Sequence, residues 1–491
     1  MARPLLLLVG GARLALAAAA ADAPAEEHWW PHARGRVGQY GSTDLPGPKD
    51  LKAQLAWEWQ HPEMAIVTGA LLDKEKNIYI SSMDGIRKLT PEGSQLWQYR
   101  MPPTSPVVMQ AVPVLVGDMI FASTMAGNMI GINATTGMVV WDVRHHAQDS
   151  EMDTPYVEVE DGVVMQAFMR LPDVPMPVIS GNRRIVAANA TNGALLWDYM
   201  SDTILWNFQP AFIEDGTFLV MDIHGGLRRF RTRTGEQVNY VQPPEPWQNF
   251  VTFTDGGVIL GPGGKIAYTC SNLGGGQTDT PGVLRAYRVG TSDLELLWVR
   301  NLPQPCVSWP ASDGRTVVVP VGALPVPTPP YANELWLPVI GKLFMHWISL
   351  ALGDYHNLLF GFFPAKRMAV LAFDAETGSP QWVYDRIKPW PRLHSRGDEE
   401  LVFERITRFP WRPVCGPASW SAPTISGDGT VYAAGMNGIL YAIRDANSDG
   451  IIADDEVSTL DVGAASLHQG SSFAPGMMTF ATCAGVYVFK T

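Results

Sequence analysis

Cysteine is scarce in this chain: four in 491 residues, at Cys270, Cys306, Cys415 and Cys483. No two are adjacent and none forms Cys-x-x-Cys, which argues against a zinc site. None precedes Cys270, so the N-terminal region offers no cysteine for a bacterial-type lipid anchor. In an exported chain an even count permits two disulfides in three pairings. Four buried thiols packing as small apolar residues is the other reading. Positive charge is also short. Lys and Arg number 36 against 48 Asp and Glu, a net charge of −12, with no basic run of note. That argues against nucleic acid as a partner.

Trp and Gly are plentiful, at 17 and 47, and they recur in one phrase. A β-branched and aromatic run leads into a small-residue turn, a second run, then Asp/Asn-Ala-x-Thr-Gly and a Trp. Copies run from Met119 to Val143, from Arg183 to Tyr199 and from Met368 to Asp385. In the first, Ile120, Phe121 and Ala122 predict a strand, Ala126-Gly127-Asn128 a tight turn, and Met129 to Ile132 the next strand. Asn133-Ala134-Thr135-Thr136-Gly137 predicts a second turn, in which Asn bonds amides ahead of it and Gly supplies φ > 0. Val139, Val140 and Trp141 open an outer strand. One such meander cannot bury both faces, so units must stack.

Eight units are present. The first spans Met64 to Arg100 and carries Trp97; the second and third end on Trp141 and Trp197. The fourth, with Thr217 to Met221, has Val238 or Tyr240 in place of Trp. The fifth has Trp298, and the sixth resumes at Asp374 to Trp382 after a long insertion. The seventh holds Thr430 to Ala433 and Leu440 to Ile443. The eighth, Met478 to Phe489, lacks its outer strand, whereas Gln54 to Trp59 is a Trp-bearing strand with no meander before it. The two ends therefore predict one shared blade, which removes exposed sheet edges. The expected fold is all-β: an eight-bladed propeller of four-stranded antiparallel blades over residues 51–491, closed by its terminal strands. An open solenoid or a seven-bladed ring is the alternative.

These units resemble the pyrroloquinoline quinone (PQQ)-like repeat, among the WD40/YVTN-like propeller repeats. The matching residues include Tyr432, Gly435, Asn437-Gly438, Leu440-Tyr441-Ala442, Asp374-Ala375-Glu376-Thr377-Gly378 and Trp382. The resemblance implies a propeller. It extends to quinoprotein dehydrogenases, which place quinone and calcium in an eight-bladed channel, and to bacterial outer-membrane assembly propellers. The adjacent cysteines that ring the quinone in those dehydrogenases are missing here, as is the lipid-attachment cysteine of the assembly propellers. The fold does not decide between such functions.

At the N-terminus, Arg3 precedes the apolar stretches Leu5 to Val9 and Leu14 to Ala21, and Ala21-Asp22-Ala23 offers a small-x-small cleavage site. Residues 1–23 read as a signal peptide, with a transit peptide as the alternative. Residues 24–50 are a lead-in to the propeller. Export would place the protein outside the cell, in a secretory-pathway lumen or in a periplasm.

The sharpest chemical motif is Asp445-Ala446-Asn447-Ser448-Asp449-Gly450-Ile451-Ile452-Ala453-Asp454-Asp455-Glu456. It matches the twelve-residue calcium loop. Asp445, Asn447 and Asp449 offer side-chain oxygens at positions 1, 3 and 5, Gly450 the sharp turn, Ile451 a carbonyl, and Glu456 a bidentate carboxylate. Ala453 leaves water to fill position 9. No amphipathic helix flanks the loop, so a structural clip is expected, not a sensor.

The insertion at about 322–367 begins Pro-rich and continues with the apolar segment 335–363. Lys342, His346, Ser349 and Gly353 give it one polar stripe at helical spacing. Pro338 and Lys342 break it as a membrane span. It is expected to be partly helical and to fold over the propeller, to dock a protein partner or to lie in a membrane interface. His145-His146 with Asp149, Glu151 and Asp153 reads as a solvated loop. Asn133 and Asn189 match the glycosylation sequon, but each stands where the repeat has its turn Asp.

No nucleophile, base and orienting acid can be assigned from spacing. The expected function is a monomeric, exported, non-enzymatic scaffold that binds a protein partner and carries structural calcium. A PQQ- and calcium-dependent alcohol or sugar dehydrogenase is the alternative.

Overall fold

The computed structural model describes residues 28–60, 69–82, 84–101, 112–124, 126–145, 156–169, 182–205, 207–242, 257–272, 281–306, 308–323, 365–392, 395–397, 419–466 and 469–491. Segment 1–23, read above as a signal peptide, most of the insertion, Cys415 and the acidic residues after His145 lie outside them.

Each apolar run becomes a strand, and its place in the sheet follows its pattern. Ile78–Ser82, Thr217–Met221 and Met477–Ala481 are buried at every position, because neighbouring blades cover both faces. The Trp-bearing strands are more exposed, and Leu55–Gln60 is half-buried and exposed in strict turn. The strands form eight four-stranded antiparallel sheets, the eight expected blades.

The closure is as predicted. Leu55–Gln60 supplies the outer strand of blade 8, pairing with Gly485–Lys490, with Trp57 opposite Val488 and Trp59 opposite Val486. The first strands of the blades, in order, are Leu71–Leu72, Val114–Val116, Glu158–Glu160, Ala211–Ile213, Val258–Leu260, Ala311–Ser312, Thr424–Ile425 and Ser472–Ala474. They contact one another between blades 8 and 1, 2 and 3, and from 4 through to 7, and so ring the central axis.

One joint repeats around the outside. The indole N–H of Trp57 donates to Pro91, of Trp97 to Ala134, of Trp141 to Ala190 and of Trp197 to Thr232, each a carbonyl in the following blade. Gly137, Gly193, Gly235 and Gly378 have positive φ, and a Cβ on any of them would strike the Trp of the preceding blade. The repeat thus needs its Gly twice, for the turn and for the indole face. In blade 4 the residue at the Trp register is Asn239, opposite Arg229, and neither Val238 nor Tyr240. A β-bulge at Arg229/Phe230 sets that register. Asn239 keeps the joint by donating to the Ser292 carbonyl at 3.1 Å.

Candidate functional site

The axis is where a propeller places its chemistry, and here the chain's own lead-in lines it. Residues 30–43 run round the inner rim and touch every blade. Trp30 exchanges two backbone hydrogen bonds with Leu72 in blade 1, and its ring packs on Phe473 in blade 8 at 5.9 Å. Leu115 of blade 2 donates to the Pro31 carbonyl. Phe212, Leu260, Ser312 and Ile425, in blades 4 to 7, donate to the carbonyls of Val37, Gly38, Tyr40 and Gly41 at 2.8–2.9 Å. Blade 3 is held by side chains: Glu158 meets His32 Nδ1 at 2.6 Å and accepts from Gln39 Nε2 at 2.7 Å. Gln209 donates to Gln39 in turn. Of this collar, Trp30, His32, Ala33, Arg34 and Gln39 are all buried. Burial also raises the Glu160 carboxyl, with Asp161 and Glu158 adding to the rise and His32 opposing it.

Arg34 crosses the axis. Its Nη2 donates to the carbonyls of Pro310 and Pro423, just before the first strands of blades 6 and 7. The passage is possible because position 41 is glycine: a Cβ there would lie 2.0 Å from Arg34 Nη2. Past the collar the chain leaves between blades 7 and 8, where Tyr432 donates to the Pro48 carbonyl and Ser458 Oγ accepts from Leu51 N.

The acidic loop occupies the place of the repeat's Asp-Ala-x-Thr-Gly turn in blade 7, between Ile439–Ile443 and Val457–Asp461. Every predicted donor lies on it, and each side chain is engaged by the loop itself. Asp445 accepts from Asp449 N and Gly450 N, and Asn447 Oδ1 from Asp449 N. Asp449 accepts from Ile451 N, and Glu456 from Ala446 N and Ala453 N. These amides hold Glu456 below the usual carboxylate range, while nearby Asp449 pushes it up. Gly450 has φ +79°, as the motif requires. Among the described residues no three His, Cys, Asp or Glu side chains are gathered to hold a metal. The oxygen donor set therefore suits calcium in kind, but its carboxylates are turned to amides. The loop also reaches blade 6: Ile451 bridges Val383, and Arg386 pairs with Asp454 at 2.8 Å and donates to the Ile452 carbonyl.

Cys270 and Cys306 form a disulfide, and Cys483 is disulfide-bonded as well. Asn133 accepts from Thr135 N and Thr136 N, and Asn189 from Thr191 N, so both do the turn work of Asp. The collar was missed in the sequence. Its one signal is a run rich in glycine, Gly35, Gly38 and Gly41, set among charged residues before the first blade.

Residues 82–319 match the family described as outer membrane protein assembly factor BamB. No curated protein matches the chain. BamB from Moraxella catarrhalis is similar in structure, with TM-score 0.53 and 14% identity over 89% of this chain and 99% of that one. Quinohemoprotein alcohol dehydrogenase from Comamonas testosteroni is similar at TM-score 0.60 and 12% identity, over 94% and 80%. The enzyme ADHIIG from Pseudomonas putida HK5 gives 0.59 and 11%, also over 94% and 80%. At such identities the likeness is one of fold. With its repeat motifs, the family match and eight four-stranded blades, the chain is a PQQ-like repeat β-propeller.

Proposed function

We propose that this propeller is an exported, non-enzymatic scaffold that holds a protein partner, with calcium bracing the 445–456 loop. The collar carries the reading. A planar tricyclic quinone needs an open slot on the axis, and here that axis is crossed by Arg34 and rimmed by residues that touch all eight blades. With no adjacent cysteines in the chain, the residues present do not suit the quinone. The Cys270–Cys306 disulfide supports an oxidising compartment, and so export. The match to an outer membrane protein assembly factor supports a role in holding other proteins. The 335–363 segment is the candidate contact, with peripheral membrane contact as its other use, and the protein acts as a monomer. In the loop, Asp445, Asn447, Asp449, the Ile451 carbonyl and Glu456 would hold the calcium, which would supply charge neutralisation and stiffness.

The test is a titration of PQQ into calcium-loaded protein, followed by Trp fluorescence. No saturable quenching at micromolar quinone is expected. Stoichiometric quenching would overturn the reading and point to the dehydrogenase, with a substrate screen to follow.

A further inference from the structure

The centre of the collar holds a cation without a counter-charge. The Arg34 side chain is 2% exposed. Two carbonyl oxygens take hydrogen bonds from its Nη2, and its Nη1 is buried with no acceptor. No carboxylate among the described residues pairs with it. The buried acid that blade 3 turns to the collar, Glu158, is committed to His32 and Gln39. Carbonyl dipoles orient a guanidinium but do not neutralise it. Burial pulls Arg34 down to about 10, against an opposing effect of Tyr156. A guanidinium still carries its proton at neutral pH. A buried charge left unpaired is strongly destabilising, so an ion is the natural partner for the orphaned Nη1.

We propose that Arg34 Nη1 holds a small monovalent anion, chloride in the cell, at the centre of the collar. The anion closes the charge that blades 6 and 7 leave open through Pro310 and Pro423. It lies on the axis beside Tyr156, which packs edge-on against Trp309 at 5.6 Å. This ion is independent of the calcium loop and of any partner.

The test is crystallographic. Crystals of the full chain are soaked in bromide, and anomalous scattering is measured at the bromine edge. A bromide peak within hydrogen-bond reach of Arg34 Nη1 is expected, and its loss in Arg34→Gln. A water that does not exchange with bromide, or no peak at all, overturns the proposal. Should Arg34→Gln fail to fold, the wild-type protein decides alone through its melting temperature. At constant ionic strength, replacing gluconate by chloride should raise it. An unchanged melting temperature together with an empty site would sink the idea.

Discussion

Trp141 of blade 2 donates its indole N–H to the Ala190 carbonyl of blade 3 at 2.9 Å, and the same indole lies on Gly193. This pair is the unit from which the ring is assembled. The Trp fixes one blade to the next through a bond that a Phe could not make, and the Gly leaves room for the ring.

Gly193→Ala tests that joint. Gly193 has φ +72°, and an added Cβ would come within 2.6 Å of the Trp141 ring. The left-handed backbone alone should cost about 1–2 kcal/mol. Displacing Trp141 should add roughly another 1–3 kcal/mol. Gly216→Ala is the control, since it has φ +81° and no atom within 4 Å of the added Cβ. Urea unfolding should show Gly193→Ala as the more destabilised of the two. Equal losses would mean that the Trp contact contributes nothing.

The disulfide makes a second prediction. Cys270 and Cys306 stand 36 residues apart, with Cα atoms 6.0 Å from each other. The double variant Cys270→Ala/Cys306→Ala should lose about 2–4 kcal/mol of stability, measured by denaturant unfolding. A variant as stable as the parent would show that this loop is already fixed by its sheet, through Asn272 and the Cys306 amide.

The blades were legible in the sequence because each carries its own signal: Trp97, Trp141, Trp197, Trp298 and Trp382, with the Thr-Gly turns that receive the indoles. Terminal closure was legible for the same reason, since Trp57 stood on a strand without a blade. Asn239 was misplaced although the spacing marks it: Trp141, Trp197 and Trp382 each follow the turn Gly by four residues, as Asn239 follows Gly235, but a polar residue there carries no aromatic signal. The collar was illegible for a deeper reason. It attaches through backbone carbonyls, roughly one per blade, so its side chains follow no period. Nothing in the sequence marks its polar residues for burial, yet Gln39 and Arg34 are buried.

Blade 3 depends on side chains where its neighbours use backbone, which makes it the collar's weak point. Glu158→Ala removes the acceptor of both His32 and Gln39. Two buried polar groups then lose their partner, at about 1–3 kcal/mol each. The expected readout is a lower melting temperature together with faster amide exchange at Leu115 and Phe212, whose acceptors lie on the collar. Lower stability with unchanged exchange at those two amides would detach the collar from the effect.

Acid should act on the repeat turn. Asp374 is held below its usual value of 3.8, first by the Thr377 amide and then by the Thr377 hydroxyl, against a weaker desolvation effect, with the Glu376 amide adding least. A carboxyl depressed on folding stabilises the folded state above its unfolded value. That contribution is lost as pH falls through the lower folded value. The turn should therefore keep its bonds down to pH 3.8 and release them below it. Side-chain NMR of Asp374 checks this; a midpoint at or above 3.8 would mean that the Thr377 bonds are not formed.

Glu456 tests the calcium proposal, and the neighbouring blade supplies an independent readout. Its carboxylate now accepts from Ala446 N and Ala453 N, which tie the two ends of the loop together. Glu456→Gln keeps an acceptor for one amide, removes one negative charge and loses bidentate capacity. Calcium affinity measured by calorimetry should fall at least about tenfold, since charge count and the bidentate ligand at position 12 set it. Calcium should also protect the amides near Ile451 and Val383, because the loop rests on blade 6 through that bridge and through Arg386. Unchanged affinity in Glu456→Gln would exclude Glu456 as a ligand. Binding without protection at Val383 would confine the ion to the hairpin and leave the contact with blade 6 unaffected by it.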